Sequence, residues 1–333
     1  MPAPIGVTYA SLAALGVPAT LDVARHAEAL GYSSFWVAET VGAEAFSTLA
    51  AAGAAAPTLG LGTGVLALQL RTPMVVGMAG ATLQALHPDA DVVLGIGISS
   101  PVVTARWHGV PYGDRPVART REYVALLREV LTGESVSFKG DFYECSRFRL
   151  GVRLGDRKPK IVVGALNPAM LQMAGAVADG VLLNYLPASH IAWSVDQVRK
   201  GEAAAGREPG TTTIYAYVHV GVCERADGIA AAKRDLWSYA VVDAYARSFE
   251  RAGFGDVVRE VRERQEAGDR DGAIDAVSDE LVDAIDIMGD EAHVRASVQA
   301  YVDAGVDAPI IMPLPWGPDR RAVVDATLAA AMI

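Results

Sequence analysis

The chain has 333 residues, 51% of them apolar and 20% charged, with a formal net charge of -10. That length and balance suit one large buried core and exclude a disordered chain. The acidity excludes nucleic acid and an anionic membrane surface as partners, although an anionic cofactor can still be held locally.

The two cysteines, Cys145 and Cys223, lie far apart and outside any C-x-x-C spacing, which excludes a disulfide framework. Met1 to Ser11 carries no basic stretch followed by an apolar one, so no signal peptide is expected and the location expected is cytoplasmic. The uncharged stretch from Ala45 to Leu70 is broken by Pro57 and by Gly53, Gly60, Gly62 and Gly64. It reads as a helix and a strand, not as a membrane span.

In chain order, short apolar runs alternate with amphipathic helices. The strands predicted are Ile5–Tyr9, Ser34–Ala38, Leu59–Leu66, Val92–Ile96, Lys160–Gly164, Gly180–Asn184, Thr213–Val222 and Ala308–Pro313. Most are continuous runs, as parallel strands covered on both faces require. Pro18 opens the first helix and Gly31 ends it. Thr72-Pro73, Ser100-Pro101 and Asn167-Pro168 each pair an N-cap residue with a proline at the first helical position. Asp290 caps a helix that Gly305 closes, and Pro318 opens the last one.

Such alternation fits a closed barrel or an open doubly wound sheet. A dinucleotide fold needs G-x-G-x-x-G after its first strand, but here that strand runs into Tyr9-Ala10-Ser11. The nearest match, Gly95-Ile96-Gly97-Ile98-Ser99-Ser100, comes in the fourth unit with serine in place of the third glycine. The fold class expected is therefore α/β, a (β/α)8 TIM barrel with helical insertions, forming one domain over residues 1–333. The insertions span 106–159, with a helix near Arg119–Leu131, and 224–289, a charged helical stretch that is either a solvated excursion or a lid.

Barrel enzymes carry their chemistry at the C-terminal ends of the strands. This selects Tyr9, Ser11, Glu39, Thr40, Thr63 to Leu66, Gly97 to Ser100, Gly164 to Asn167, Asn184 and Met312. Gly164-Ala165-Leu166-Asn167-Pro168 places a glycine and free helix N–H groups together, which makes an anion site or simply a good βα turn. Gly97-Ile98-Ser99-Ser100-Pro101 repeats the design. Glu39 binds a cofactor edge, moves a proton, or caps the next helix.

Among the histidines, His26 and His293 lie on helix surfaces, His87 in a turn and His219 within a strand. His108 falls in the first insertion and His190 after the sixth strand. No H-x-H, H-E-x-x-H or G-x-S-x-G pattern occurs, so neither a metal site nor a serine hydrolase is expected.

Several stretches carry a resemblance: Ala27-Glu28-Ala29-Leu30-Gly31-Tyr32 with Phe35-Trp36-Val37-Ala38-Glu39, then Leu61-Gly62-Thr63-Gly64-Val65, and Leu94-Gly95-Ile96-Gly97. Arg119-Thr120-Arg121-Glu122-Tyr123 and Ala178-Asp179-Gly180-Val181 follow. In this order and spacing the chain resembles the luciferase-like flavin and deazaflavin oxidoreductases, most of all their branch dependent on coenzyme F420.

The resemblance implies hydride transfer between the deazaflavin and a small organic substrate, and a homodimer. It implies a cis peptide between Gly64 and Val65, after Thr63, backing the central ring. Gly97, Ile98 and Ser99 would line the cofactor, and Gly164, Ala165, Leu166 and Asn167 would hold its phosphate, with Asn184 nearby. Relatives often carry histidine after the acidic residue that ends strand two, and a Gly-Arg pair before strand four. Here Glu39-Thr40 and Asp89-Ala90-Asp91 stand there. Glu39 is then the candidate for proton transfer, with His108 and His190 behind it. An FMN-dependent monooxygenase and a non-catalytic cofactor-binding barrel are the alternatives.

Overall fold

The computed structural model describes residues 3–333; residues 1 and 2, included in the single-domain and signal-peptide readings above, lie outside the described residues. The strands in chain order are β1 (Gly6–Thr8), β2 (Ser34–Val37), β3 (Gly60–Thr63), β4 (Leu66–Ala67), β5 (Val92–Gly97), β6 (Ser135–Lys139) and β7 (Glu144–Arg149). β8 (Lys160–Gly164), β9 (Gly180–Leu183), β10 (Thr213–Val222), β11 (Asp286–Gly289) and β12 (Ala308–Pro313) follow.

Parallel pairing runs from β12 through β1, β2, β3, β5, β8 and β9, and the β9–β10 and β10–β12 pairs close the ring. β4 continues β3 beyond a break, and β11 rides on the upper half of β10. The closed barrel therefore has the eight strands read from the sequence. The one expected strand Leu59–Leu66 differs, being split into β3 and β4 around Gly64 and Val65.

The core has two shells. Side chains alternate along each strand. Ile214, Ala216, Val218 and Val220 of β10 join the large layer between strands and helices. Trp36, Val93, Val162, Leu182, Tyr217 and Ile310 fill the barrel interior. Trp36 fits because Gly62 faces it: a Cβ there would stand 2.5 Å from the indole. Emptying that position to alanine would cost about 3–5 kcal/mol.

Helix starts follow the expected chemistry with two exceptions. Thr72 accepts from Val75 N at 3.3 Å, Ser100 from Val103 N at 3.3 Å and Asp290 from His293 N at 2.8 Å. Asn167, in contrast, gives its helix no side-chain cap, because its amide is turned to the second insertion. The last helix begins after Pro318, at Arg320, and is capped by Asp319.

Neither insertion is purely helical. The first holds the helix Pro116–Val130 and an antiparallel hairpin, β6–β7, over Leu126, Val130, Val136 and Leu150. The second holds five α-helices, a π-helical turn at Glu250–Phe254 and β11 around its own core, including Leu236, Phe249, Val258, Leu281 and Ile285. That core makes it more than a solvated excursion. It also includes Tyr185, at the barrel mouth. Among the described residues no helix is long and apolar enough to cross a membrane.

Candidate active site

The break after β3 is the centre of the site. The Gly64–Val65 peptide is cis, as the resemblance implied. Four hydrogen bonds tie this stretch to its neighbours. Gly64 N donates to Val37 O at 2.9 Å, and Gly64 O accepts from the Tyr217 hydroxyl at 2.5 Å. Glu39 N reaches Val65 O at 3.4 Å, and Thr63 Oγ1 donates to Gly95 O at 2.8 Å.

Val65 lies between Gly97 and Gly164: a Cβ on these would stand 2.9 Å and 3.3 Å from its methyl groups. The structure thus brings Thr63, Gly64, Val65, Gly97 and Gly164 together. Tyr217 was not foreseen. Its only sequence signal is its place on the inward face of β10. Burial pushes its phenol far above the ordinary range, so the hydroxyl stays a donor at neutral pH.

Beside this surface, the loop from Gly164 to Asn167 opens the helix Pro168–Val177. Ala165 is buried and donates to Leu182 O, while Ile98 and Ser99 lie half-buried after Gly97. Arg251, from the second insertion, donates to Leu166 O at 3.2 Å and to Asn167 Oδ1 at 2.8 Å. It also lies over the Trp193 ring. Its buried Nε has no partner among the described residues. Burial, then the neighbouring Arg247, lowers its pKa, so an anion here would relieve an under-compensated charge. Burial and Arg251 likewise lower the pKa of His190, whose Nε2 is buried and unpartnered. Sequence reading could not find Arg251, because it lies more than eighty residues beyond the loop it covers.

At the end of β2, Glu39 lines a cleft of about 480 Å3 with Thr40, Glu44, Arg71 and His108. Arg71 holds Glu39 in a bidentate ion pair and also reaches Glu44. Glu44, not Glu39, caps the next helix, accepting from Phe46 N and Ser47 N at 3.1 Å and 2.7 Å. This removes the capping role considered for Glu39. His108 is exposed at the rim, its Nε2 2.7 Å from Thr40 O.

A third group, unexpected from the sequence, lies above Tyr217. His219 and Asp286 are almost fully buried. His219 faces Asp286 Oδ1 with Nδ1 at 3.0 Å and Asn184 Oδ1 with Nε2 at 2.8 Å. The Tyr185 hydroxyl is 2.9 Å from Asp235 Oδ2, and its ring packs on Tyr239. Asn184 is therefore where the barrel rule put it, but bound to partners that the sequence keeps far apart.

Comparison with known proteins adds to this geometry. A family model described as luciferase-like monooxygenase matches residues 4–308. A Mycobacterium tuberculosis protein named as a coenzyme F420-dependent oxidoreductase is 31% identical over 296 residues, 82% of this chain and 84% of that one. The 5,10-methylenetetrahydromethanopterin reductase of Archaeoglobus fulgidus is 28% identical over 305 residues, 90% of each chain. The solved structure of the coenzyme F420-dependent tetrahydromethanopterin reductase from Methanopyrus kandleri matches with a TM-score of 0.83. It covers 100% of this chain and 99% of that chain at 21% identity, a likeness of fold.

Proposed function

We propose that this chain, which belongs to the luciferase-like monooxygenase family, is a coenzyme F420-dependent oxidoreductase acting on a small organic substrate. The observation that carries the reading is the Gly64–Val65 surface, flanked by two glycines and opening onto the Gly164–Asn167 loop under Arg251. The named F420 dependence of the relatives favours the deazaflavin over FMN.

The residues present fit such a group. Gly97 and Gly164 let Val65 sit close between them with backbone on either side, and the unpartnered Arg251 Nε is suited to a phosphate. When bound, a deazaflavin supplies a carbon centre that takes up or releases a hydride. Val65 would back the ring, and Tyr217 holds the peptide carbonyl behind it. Glu39 and His108 face the cleft beside the platform and are the candidates to move the accompanying proton.

The helix Pro73–Leu86 has no charged residue and exposes Val75, Met78 and Leu86 on one face, which suits a second copy of the chain. Sedimentation at micromolar concentration tests that homodimer.

The deciding experiment is a fluorescence titration of the purified protein with coenzyme F420 and, separately, FMN. We expect F420 to bind at least about tenfold more tightly. Preference for FMN supports the monooxygenase alternative, with oxygen uptake as the next assay. Stoichiometric binding without hydride transfer to or from any donor or acceptor supports a non-catalytic barrel. Binding of neither overturns the reading.

A further inference from the structure

β9, β10 and β11 bring Asn184, His219 and Asp286 together at the barrel mouth. His219 follows Tyr217 by two residues on β10, so both side chains leave the same face, about 7 Å apart along the strand. Asn184 stands in the same relation to Leu182, which packs with Tyr217 inside the barrel. β11 pairs with the upper part of β10 and sets Asp286 opposite His219.

The proton positions in this cluster follow from hydrogen-bond chemistry. Asn184 Oδ1 accepts from Tyr185 N at 2.9 Å and faces His219 Nε2 at 2.8 Å. A backbone amide only donates, so the carboxamide must turn its oxygen, not its nitrogen, to that side. An oxygen at that distance from Nε2 requires Nε2 to carry hydrogen. On the other side of the ring, Nδ1 and Asp286 Oδ1 share a proton at 3.0 Å.

The groups facing the imidazole are Asp286 from β11, Asp235 from the helix Arg225–Ala240 and Tyr185 after β9, while Tyr239 and Tyr245 pack on Tyr185 and on each other. Tyr301 stands behind Asp286. The neighbouring His219 offsets part of the cost of burying these two carboxyls. Burial raises the pKa of both carboxyls, and repulsion from Asp286 helps push Asp235 up to about 7, so the cluster tends to keep a proton at neutral pH. The Asn184 Nδ2 is not among the buried atoms left without a partner.

We propose that the Asp286–His219 pair is a positioning device. It holds the Asn184 carboxamide oxygen against the barrel wall and so directs its NH2 into the mouth, as a donor to a carbonyl oxygen of the bound cofactor. The inference rests on the cofactor reading above, but flavin and deazaflavin both carry such carbonyls, so it holds for either. Loss of the Nε2 proton would favour the flipped amide, which presents an acceptor instead.

The test has two parts. In cofactor-free protein labelled with 15N-histidine, His219 should carry hydrogen on Nε2 at neutral pH. A lone pair on Nε2 there overturns the proposal. So does a tightly held divalent metal, because His219, Asp235 and Asp286 offer ligand atoms within 4.8 Å of one another and a metal on Nδ1 would displace the shared proton.

The second part is cofactor affinity, measured with F420 and with FMN. Asn184→Asp removes the donor at constant size and should weaken binding about tenfold or more with the melting temperature retained. His219→Gln keeps a donor to Asn184 and should bind better than His219→Leu. Unchanged affinity in folded Asn184→Asp, or equal affinity of the two His219 variants, overturns the proposal. If wild-type protein binds neither cofactor, the function reading fails and the donor role with it, while the histidine spectrum still decides the proton arrangement.

Discussion

Arg71 holds both carboxylate oxygens of Glu39, with Nε at 2.8 Å from Oε2 and Nη2 at 2.7 Å from Oε1. The two side chains keep only 21% and 17% of their exposure, so solvent screens the pair less than an open surface bridge. A double-mutant cycle of Glu39→Gln with Arg71→Met should give a coupling energy of about 1–3 kcal/mol in chemical unfolding. Strict additivity would mean that the pair contributes nothing. In the same Glu39→Gln variant, turnover should fall by about a hundredfold or more with cofactor affinity largely kept. The reverse pattern makes the pair a binding element.

Tyr217 holds the Gly64 carbonyl from across the barrel. Tyr217→Phe leaves that buried acceptor without a donor, which should cost about 1–3 kcal/mol. A urea midpoint equal to wild type would show that the carbonyl finds another partner.

Gly164 packs against Val65, so its role extends beyond the phosphate loop. Gly164→Ala puts a Cβ 3.3 Å from a Val65 methyl. Cofactor affinity should drop about tenfold while the fold is retained. Gly97→Ala, with the closer 2.9 Å approach, should lose more, and the order of the two is the check.

Arg251 is the insertion's link to the anion loop. Arg251→Met should weaken a phosphate-bearing cofactor by about tenfold or more and make its binding less sensitive to salt. Titrations at low and high ionic strength separate the loss of charge from simple loss of packing.

Asp235 sets a pH dependence. Its carboxyl is raised to about 7 by burial and by Asp286. A carboxyl raised in the folded state binds protons that the unfolded chain has released, so its stabilising contribution is complete below the unfolded value and is lost as pH rises through about 7. Melting temperature should therefore decline from about pH 4 to about pH 7 and level off above it, and Asp235→Asn should flatten that decline. An equally steep curve in the variant would assign the dependence to other groups.

Much of the fold was legible because local rules act over short spans. Parallel strands buried on both faces appear as continuous apolar runs, so eight were found, and β8, β10 and β12 have the predicted bounds. Proline and cap residues marked most helix starts for the same reason. The hairpin β6–β7 was missed because its strands mix serine and charged residues with only partly buried apolar ones, a weak alternation on one exposed face.

The sequence by itself determined the barrel, the glycines beside Val65 and the chain segments that end at the mouth. These depend on backbone space and on hydrophobic period, which neighbouring residues set. Only the tertiary structure decided the partners: Arg71 for Glu39, Tyr217 for Gly64, Arg251 for Asn167, and Asp286 for His219. Each joins residues that are between 32 and 153 positions apart in the chain. Ring closure and the fold of the second insertion bring them within hydrogen-bond reach, and no local pattern records that approach.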